Sequence, residues 1–92
     1  MVKQFNENGK IYCNLYSYGV HVCEIILFEN SNDVISITIG KYWDFSITTR
    51  KHLYDFLHDF NIDINNKNVV ENAIENGCLE NEIPFYYDGG ME

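Results

Sequence analysis

Basic residues, proline and long apolar runs are all scarce in this sequence. Its 92 residues include 6 Lys and Arg against 14 Asp and Glu, a single Pro, and a formal net charge of −8. Because an acidic chain repels phosphate groups, we expect no direct binding of nucleic acid and no attachment to an anionic membrane. The longest apolar run covers only residues 25–28, so we expect no signal peptide, no transmembrane helix and a cytoplasmic location.

Cysteine is scarce as well, and its spacing is unlike that of a metal site. Cys13, Cys23 and Cys78 form no CxxC pair and no Cys/His cluster with zinc spacing. An odd number of separated cysteines fits a reducing cytosol, and it favours buried structural thiols over disulfides. His52 and His58 are six residues apart, too far around a helix to share a metal ion as an i, i+4 pair would. We therefore predict no metal and no cofactor.

Catalytic motifs are also missing. The sequence has no GxSxG elbow, no HExxH, no GxGxxG and no phosphate-binding glycine loop. We predict a non-enzymatic protein without catalytic residues. A small hydrolase or metal-dependent enzyme is an alternative that would require a His side chain held close to a carboxylate.

Apolar residues are plentiful enough for one compact domain over residues 1–92. They make up 46% of the chain and include 7 Tyr, 6 Phe and 1 Trp. Residues 10–16, 20–28 and 34–39 have strand character and are separated by turn-forming residues. These segments predict the first three strands of an antiparallel sheet.

Two weaker segments are candidates for further strands. Residues 42–46 could form a fourth strand with Trp43, Phe45 and Ile47 pointing inward, although its register requires a bulge or a longer turn near Gly40. Residues 83–87 could add an edge strand before a loose tail. The sheet is thus expected to have three to four strands within residues 10–47, and the C-terminal tail is expected over 83–92.

Helical periodicity begins after the predicted sheet. Thr48 or Thr49 is the expected N-cap of a first helix, and Asn61 is the expected stop. Its apolar stripe at i, i+3, i+4 and i+7 consists of Leu53, Phe56, Leu57 and Phe60.

A second helix is expected from the cap Asn65 or Asn66 to Gly77. Its apolar stripe consists of Val69, Val70, Ala73 and Ile74. Strands followed by two helices over residues 49–77 predict an α+β domain in which the helices pack on one face of the sheet.

Nearly all of the excess negative charge lies in the helical half. Residues 1–50 have five acidic and four basic residues, whereas residues 51–92 have nine acidic and two basic residues. Like charges four apart on a helix cost a few tenths of a kcal/mol, and few cations are present to relieve them. We define the acidic surface as the predicted protein-binding residues Asp55, Asp59, Asp63, Glu71, Glu75, Glu80 and Glu82. Tyr54 is included as an aromatic anchor, because Tyr is enriched in binding hot spots.

The acidic surface could imitate nucleic acid. Carboxylates at i, i+4 lie about 6 Å apart, close to the spacing of about 7 Å between phosphates of one strand. Such a surface could occupy a groove lined by Lys and Arg. The alternative is a solvated face that only keeps the protein soluble.

One segment resembles a known class of sequences. The stretch includes Trp43, Asp44, Phe45, Ser46, Thr48, Thr49, Lys51, His52 and Leu53. This Ser-x-Thr-Thr-x-Lys-His-Leu segment is similar to small proteins of bacteriophages and mobile elements from low-GC Gram-positive bacteria. In size, charge and fold class the chain is also similar in type to phage anti-CRISPR proteins, which implies a location in the bacterial host cell.

Together these features predict a phage-type inhibitor. It would bind a basic nucleic-acid-binding groove of a host defence protein, such as a Cas nuclease, by nucleic-acid mimicry. The alternative is a non-enzymatic structural or protein-interaction module, for example a homodimer formed through a sheet edge or exposed aromatic side chains.

Overall fold

The computed structural model describes residues 1–79 and 81–88 and confirms the α+β class. None of the described helices is long and apolar enough to cross a membrane. The elements in chain order are β1 (Val2–Glu7), β2 (Lys10–Ser17), β3 (Val20–Phe28), β4 (Val34–Ile39), α1 (Ile47–His58), α2 (Lys67–Asn76) and β5 (Phe85–Tyr87).

The sheet has five strands in the order β1-β2-β3-β4-β5. The first four form an antiparallel meander, and β5 returns after both helices to pair parallel with β4. Residues 10–47 contain three strands, within the expected three to four, and the total is five because β1 was not predicted and β5 lies in the candidate edge segment 83–87. Sequence periodicity missed β1 because all six of its residues are exposed and it lacks an apolar inward face.

Two-residue turns close the first two hairpins. Asn8 and Gly9 have φ angles of 52° and 78°, and Tyr18 and Gly19 have 54° and 77°. Successive positive φ angles are typical of the type I′ turn, whose twist matches that of antiparallel strands. The glycines suit this conformation because they lack a Cβ atom.

One row of side chains crosses the buried face of the sheet. Cys13, Ile25, Ile37 and Phe85 are direct neighbours on β2, β3, β4 and β5. All four are buried in one hydrophobic cluster that also contains residues of both helices. The helical members of that cluster are Leu53, Phe56, Leu57, Val70 and Ala73.

The predicted fourth strand at 42–46 was wrong. These residues form turns and a bend between β4 and α1, where Phe45 N–H bonds Tyr42 O at 3.1 Å. Trp43 is buried as expected, but Phe45 and Ile47 are 72% and 77% exposed. Strand alternation does not apply to a turning backbone, so the three side chains do not share a face.

The helix boundaries are close to those predicted. Ser46, rather than Thr48 or Thr49, is the N-cap of α1, and its hydroxyl accepts a hydrogen bond from Thr49 N–H at 3.1 Å. Asn66 caps α2 by accepting from Asn68 N–H at 2.7 Å, and Gly77 ends it in the left-handed conformation.

The last strand is shorter than the predicted segment 83–87. β5 covers only Phe85–Tyr87, and Asp88 N–H bonds Ile39 O at 2.9 Å. Residues 89–92 of the predicted tail lie outside the described residues.

Asp44 links the start of α1 to the start of α2. Its carboxylate bonds the Arg50 guanidinium in the first half of α1 and the Lys67 ammonium, the latter at 2.9 Å. The hydrogen bond from Lys67, together with that from Arg50, holds the pKa of the Asp44 carboxyl below its usual range, although burial opposes the shift. The two helices are therefore joined by charge as well as by the core.

We expect Asp44→Asn to lower the free energy of unfolding by about 0.5–1 kcal/mol near neutral pH, since the partly exposed ion pairs are screened by solvent. Because the pKa of Asp44 is lowered in the folded state, its carboxylate stabilises the fold at pH values above the usual pKa of Asp. This stabilisation is lost as the pH falls through the pKa of Asp44 in the folded protein. Urea unfolding from pH 6 to pH 2 should therefore show a smaller loss of stability in Asp44→Asn than in the wild type. Parallel curves would contradict this role for Asp44.

Candidate protein-binding surface

The predicted acidic pairs are exposed on both helices. Asp55 and Asp59 lie on the outer side of α1. Asp59 is the C-cap residue, and its φ of −61° and ψ of −22° are still helical, so the i, i+4 geometry holds for this pair. Glu71 and Glu75 lie exposed on α2, four residues apart. Each pair spans about one helical turn, so its carboxylates are neighbours on the surface.

Three of these four carboxylates, those of Asp55, Asp59 and Glu75, lie at positions that are unfavourable for helix stability. Neither helix has an acidic residue in its first turn, where the helix dipole would favour one. Asp55 and Asp59 lie in and just beyond the last turn of α1, and Glu75 lies in the last turn of α2. The last turn of α2 has no basic residue to offset the negative end of the dipole. Helix stability therefore does not account for where the acidic residues are.

The nearby cations are mostly engaged elsewhere. Arg50 and Lys67 both bond Asp44. Among residues 1–79 and 81–88, no ion pair includes Asp55, Asp59, Glu71, Glu75 or Glu82. Lys51 is exposed one turn before Asp55 without forming an ion pair with it. The described part of the acidic surface is thus left largely without neutralisation by other described residues.

Two other predicted residues, Asp63 and Glu82, lie in the connecting segments. Asp63 is almost fully exposed and lies 3.7 Å from the His58 ring. Glu82 is exposed in a tight turn with a positive φ of 65°. Glu80 lies outside the described residues.

Asp63 also borders an open cavity of about 640 Å³. The cavity lies between the segment after α1, one flank of α2 and the segment before β5. Amide side chains of Asn61, Asn72, Asn76 and Asn81 are among its lining groups. Asn72 and Asn76 are each about 100° around α2 from the Glu residue that precedes them, so the cavity and the acidic pair of α2 are on different flanks.

Tyr54 is separated from the acidic pair of α1. It is half-buried against the core, and burial raises the pKa of its hydroxyl above the usual range. Arg50, Asp44 and Lys67 also interact electrostatically with it. Tyr54 is about 100° around the helix from Asp55 and therefore faces the Asp44 ion pairs.

An apolar cleft with aromatic residues lies at the other end of α1. We call it the aromatic cleft; it has a volume of about 360 Å³ and lies between the β2–β3 turn and the start of α1. Its lining residues are Ser17, Tyr18, Val20, Val22, Tyr42, Phe45 and Thr49. Tyr18 and Phe45 are each 72% exposed. Sequence analysis missed the cleft because Phe45 was expected to lie inside, and no signal marked Tyr18 except its place in a turn.

Hydroxyl groups join the aromatic cleft to α1. Ser17 Oγ lies 2.9 Å from His52 Nδ1 and 3.3 Å from Thr49 Oγ1. The Tyr18 ring also lies beside His52, with 6.1 Å between ring centroids. A Ser–His contact is used by nucleophilic enzymes when a third group orients the His. Among the described residues, no carboxylate bonds His52, and the contact holds the β2–β3 turn against α1.

The aromatic cleft and the acidic pair of α1 form one continuous stretch of surface. His52, Asp55 and Asp59 occupy positions i, i+3 and i+7, which fall on the same side of a helix. His52 borders the cleft through Ser17 and Tyr18. A binding partner that contacts the carboxylates of α1 can therefore also reach exposed aromatic side chains.

Two of the three cysteines are buried, as expected of structural thiols, whereas this expectation was wrong for Cys78, which follows the end of α2. Cys13 and Cys23 are buried and unbonded to each other, and burial raises the pKa of both thiols above the usual range. Cys78 is exposed. Within residues 1–79 and 81–88, no group of three His, Cys, Asp or Glu side chains is placed to hold a metal ion.

We expect a thiol-reactive reagent to label the native protein rapidly at Cys78 and to label Cys13 and Cys23 only after unfolding, since thiolates are the reactive form. Mass spectrometry of the native and urea-unfolded protein would count the labels. Cys78→Ser should remove the rapid label without altering the labelling of the unfolded chain at the other two positions. Rapid native labelling of Cys23 would contradict its buried position.

Comparisons with other proteins identify no relative. The chain shows no significant match to any protein-family model, to any curated protein or to any solved structure.

Proposed function

We propose that the protein is a small non-enzymatic inhibitor that binds a basic, nucleic-acid-binding groove of a host defence protein. The partner class that we favour is a Cas nuclease. The observation that carries the proposal is the set of exposed carboxylates near the C-terminal ends of α1 and α2 that form no ion pair with any residue the structure describes. The mode of action would be competition with nucleic acid for that groove.

The energetic cost of these carboxylates supports a binding role. Each like-charge pair at i, i+4 destabilises its helix by a few tenths of a kcal/mol, and an unfavourable helix-dipole interaction costs about 0.3–1 kcal/mol at low ionic strength. A protein that needed acidic residues only for solubility could place them in the first turns, where they would stabilise the helices. A groove lined by Lys and Arg would remove both costs upon binding.

The aromatic cleft adds a second kind of contact to the same surface. Tyr18 and Phe45 are exposed at its edge, and His52 connects it with Asp55 and Asp59 along α1. Charged contacts increase the association rate and the specificity, whereas buried aromatic anchors supply most of the affinity in typical interfaces. Together they suit a protein partner better than a small ligand.

The proposal can be tested with purified Cas nucleases of several types. The test variant Asp55→Lys/Asp59→Lys should weaken binding and inhibition by about tenfold or more, because it reverses the charge of the pair beside the cleft. Glu29→Lys/Asp33→Lys is the matched control, since it makes the same charge change in the exposed turn between β3 and β4. The readouts are DNA cleavage, competition with labelled target DNA, and the salt dependence of both.

Mimicry further requires that DNA and the protein exclude each other and that rising salt weakens inhibition. Equal loss of inhibition in the test variant and the control would show that only net charge matters. Inhibition that persists with DNA still bound would contradict competition for the groove. If no nuclease in the panel is bound, the Cas assignment is wrong.

A further inference from the structure

The outer strand β1 has backbone groups available for pairing. Met1 N bonds Tyr16 O at 2.9 Å, and Tyr16 N bonds Met1 O at 2.8 Å, so these two residues form a hydrogen-bonded pair. In an antiparallel ladder such pairs alternate with pairs that exchange no bonds. Lys3, Phe5 and Glu7 therefore bond to β2, whereas the N–H and C=O groups of the residues between them point away from the sheet. Those outward residues are Val2, Gln4 and Asn6.

Several of the usual protections of an edge strand are missing from β1, although it has the charged side chains of Lys3 and Glu7. Its six residues include no proline, all are exposed, and its pairing with β2 has no bulge. Natural edges are commonly shortened, twisted by bulges or interrupted by proline, because an open edge pairs with other strands. β1 is therefore a regular and accessible template for one more strand.

The side chains of β1 are complementary to those of a second, antiparallel β1. A two-fold axis at Phe5 places Lys3 opposite Glu7 of the second copy and Phe5 opposite its own equivalent. In the same register, Gln4 lies opposite Asn6 of the second copy. The N–H and C=O groups of Gln4 and Asn6 point away from β2, so these two residues form the hydrogen-bonded pairs of the dimer. Lys3 with Glu7, and Phe5 with Phe5, fall in the non-hydrogen-bonded pairs, where side chains approach most closely.

A neighbouring register lacks this charge match. A two-fold axis at Gln4 would set Lys3 opposite Phe5 of the second copy, so no Lys–Glu pairs would form. Opposite charges facing each other across strands are stabilising, which favours the axis at Phe5.

The outer face of the sheet continues across the same junction. The Phe5 ring stacks on Tyr12 of β2, with 4.8 Å between centroids and 6° between planes. Tyr12 is in turn the direct neighbour of Ile26 on β3. Pairing at Phe5 would join this row with its equivalent in the second copy and would cover Phe5, which is now half exposed.

We propose that two copies of this chain pair through β1 in an antiparallel arrangement about a two-fold axis at Phe5. The product is a homodimer with one continuous ten-stranded sheet. Its contacts are separate from those of the acidic surface, so the homodimer and the proposed inhibitor function can be tested independently.

Charge exchange tests the register. Sedimentation equilibrium of the full chain at micromolar to millimolar concentration should show a monomer–dimer equilibrium. Lys3→Glu and Glu7→Lys should each weaken the dimer by about tenfold or more, because both symmetric pairs become repulsive. The double variant Lys3→Glu/Glu7→Lys should restore dimerisation. Lys51→Glu, which makes the same charge change as Lys3→Glu on α1, is the control and should dimerise like the wild type.

Proline substitution tests the hydrogen bonds. Gln4→Pro removes an N–H that points away from β2, so β1 can keep its pairing with β2 while losing the dimer. Gln4→Ala retains the N–H and should dimerise normally. Circular dichroism and thermal unfolding would show that both variants are folded.

Three results would overturn the proposal. The first is that the wild-type protein stays monomeric at the highest concentration. The second is that Gln4→Pro still dimerises, and the third is that the double variant Lys3→Glu/Glu7→Lys does not. A dimer insensitive to all changes in β1 would use another surface.

Discussion

Burial of one face of the sheet is the constraint on which the rest of the structure depends. Cys13, Ile25, Ile37 and Phe85 lie side by side across four strands and share one hydrophobic cluster with α1 and α2. Because side chains alternate along a strand, a slip of one residue would move such a row to the outer face. Burial therefore determines the register of the sheet, and through it the position of every side chain on the outer face.

The sequence predicts the parts of the fold in which apolar periodicity and burial agree. The strands 20–28 and 34–39 were predicted with correct limits, and α2 begins at Asn66, one of its two expected caps, and ends at Gly77 as predicted. Prediction was wrong where the apolar periodicity of the sequence does not match the burial of the side chains. β1 has no buried residue to mark it, and residues 42–46 look apolar and alternating although they turn.

Prediction of the candidate site was limited in a similar way. Helical spacing identified the exposed pairs on α1 and α2, because neighbours at i, i+4 depend only on local geometry. The aromatic cleft depends on Tyr18 and Phe45, which come from a hairpin turn and from the segment before α1. Contacts between distant segments leave no periodic signal in a single chain. The acidic residues near the C-terminal ends of the helices depart from what helix stability would favour, whereas the open edge of β1 departs from the usual protection of an edge strand against pairing.

The position of β5 has a consequence for how the molecule reaches its native state. Phe85 is the largest fully buried side chain among the described residues, and it arrives on a three-residue strand after both helices. The hairpins of β1, β2 and β3 close through two-residue turns, whereas pairing of β5 with β4 requires closure of a long loop and pays its entropy. The meander can form early, but the core lacks the Phe85 ring until β5 docks. Because a strand of only three residues delivers this ring, any detachment of β5 from β4 would open the core to solvent.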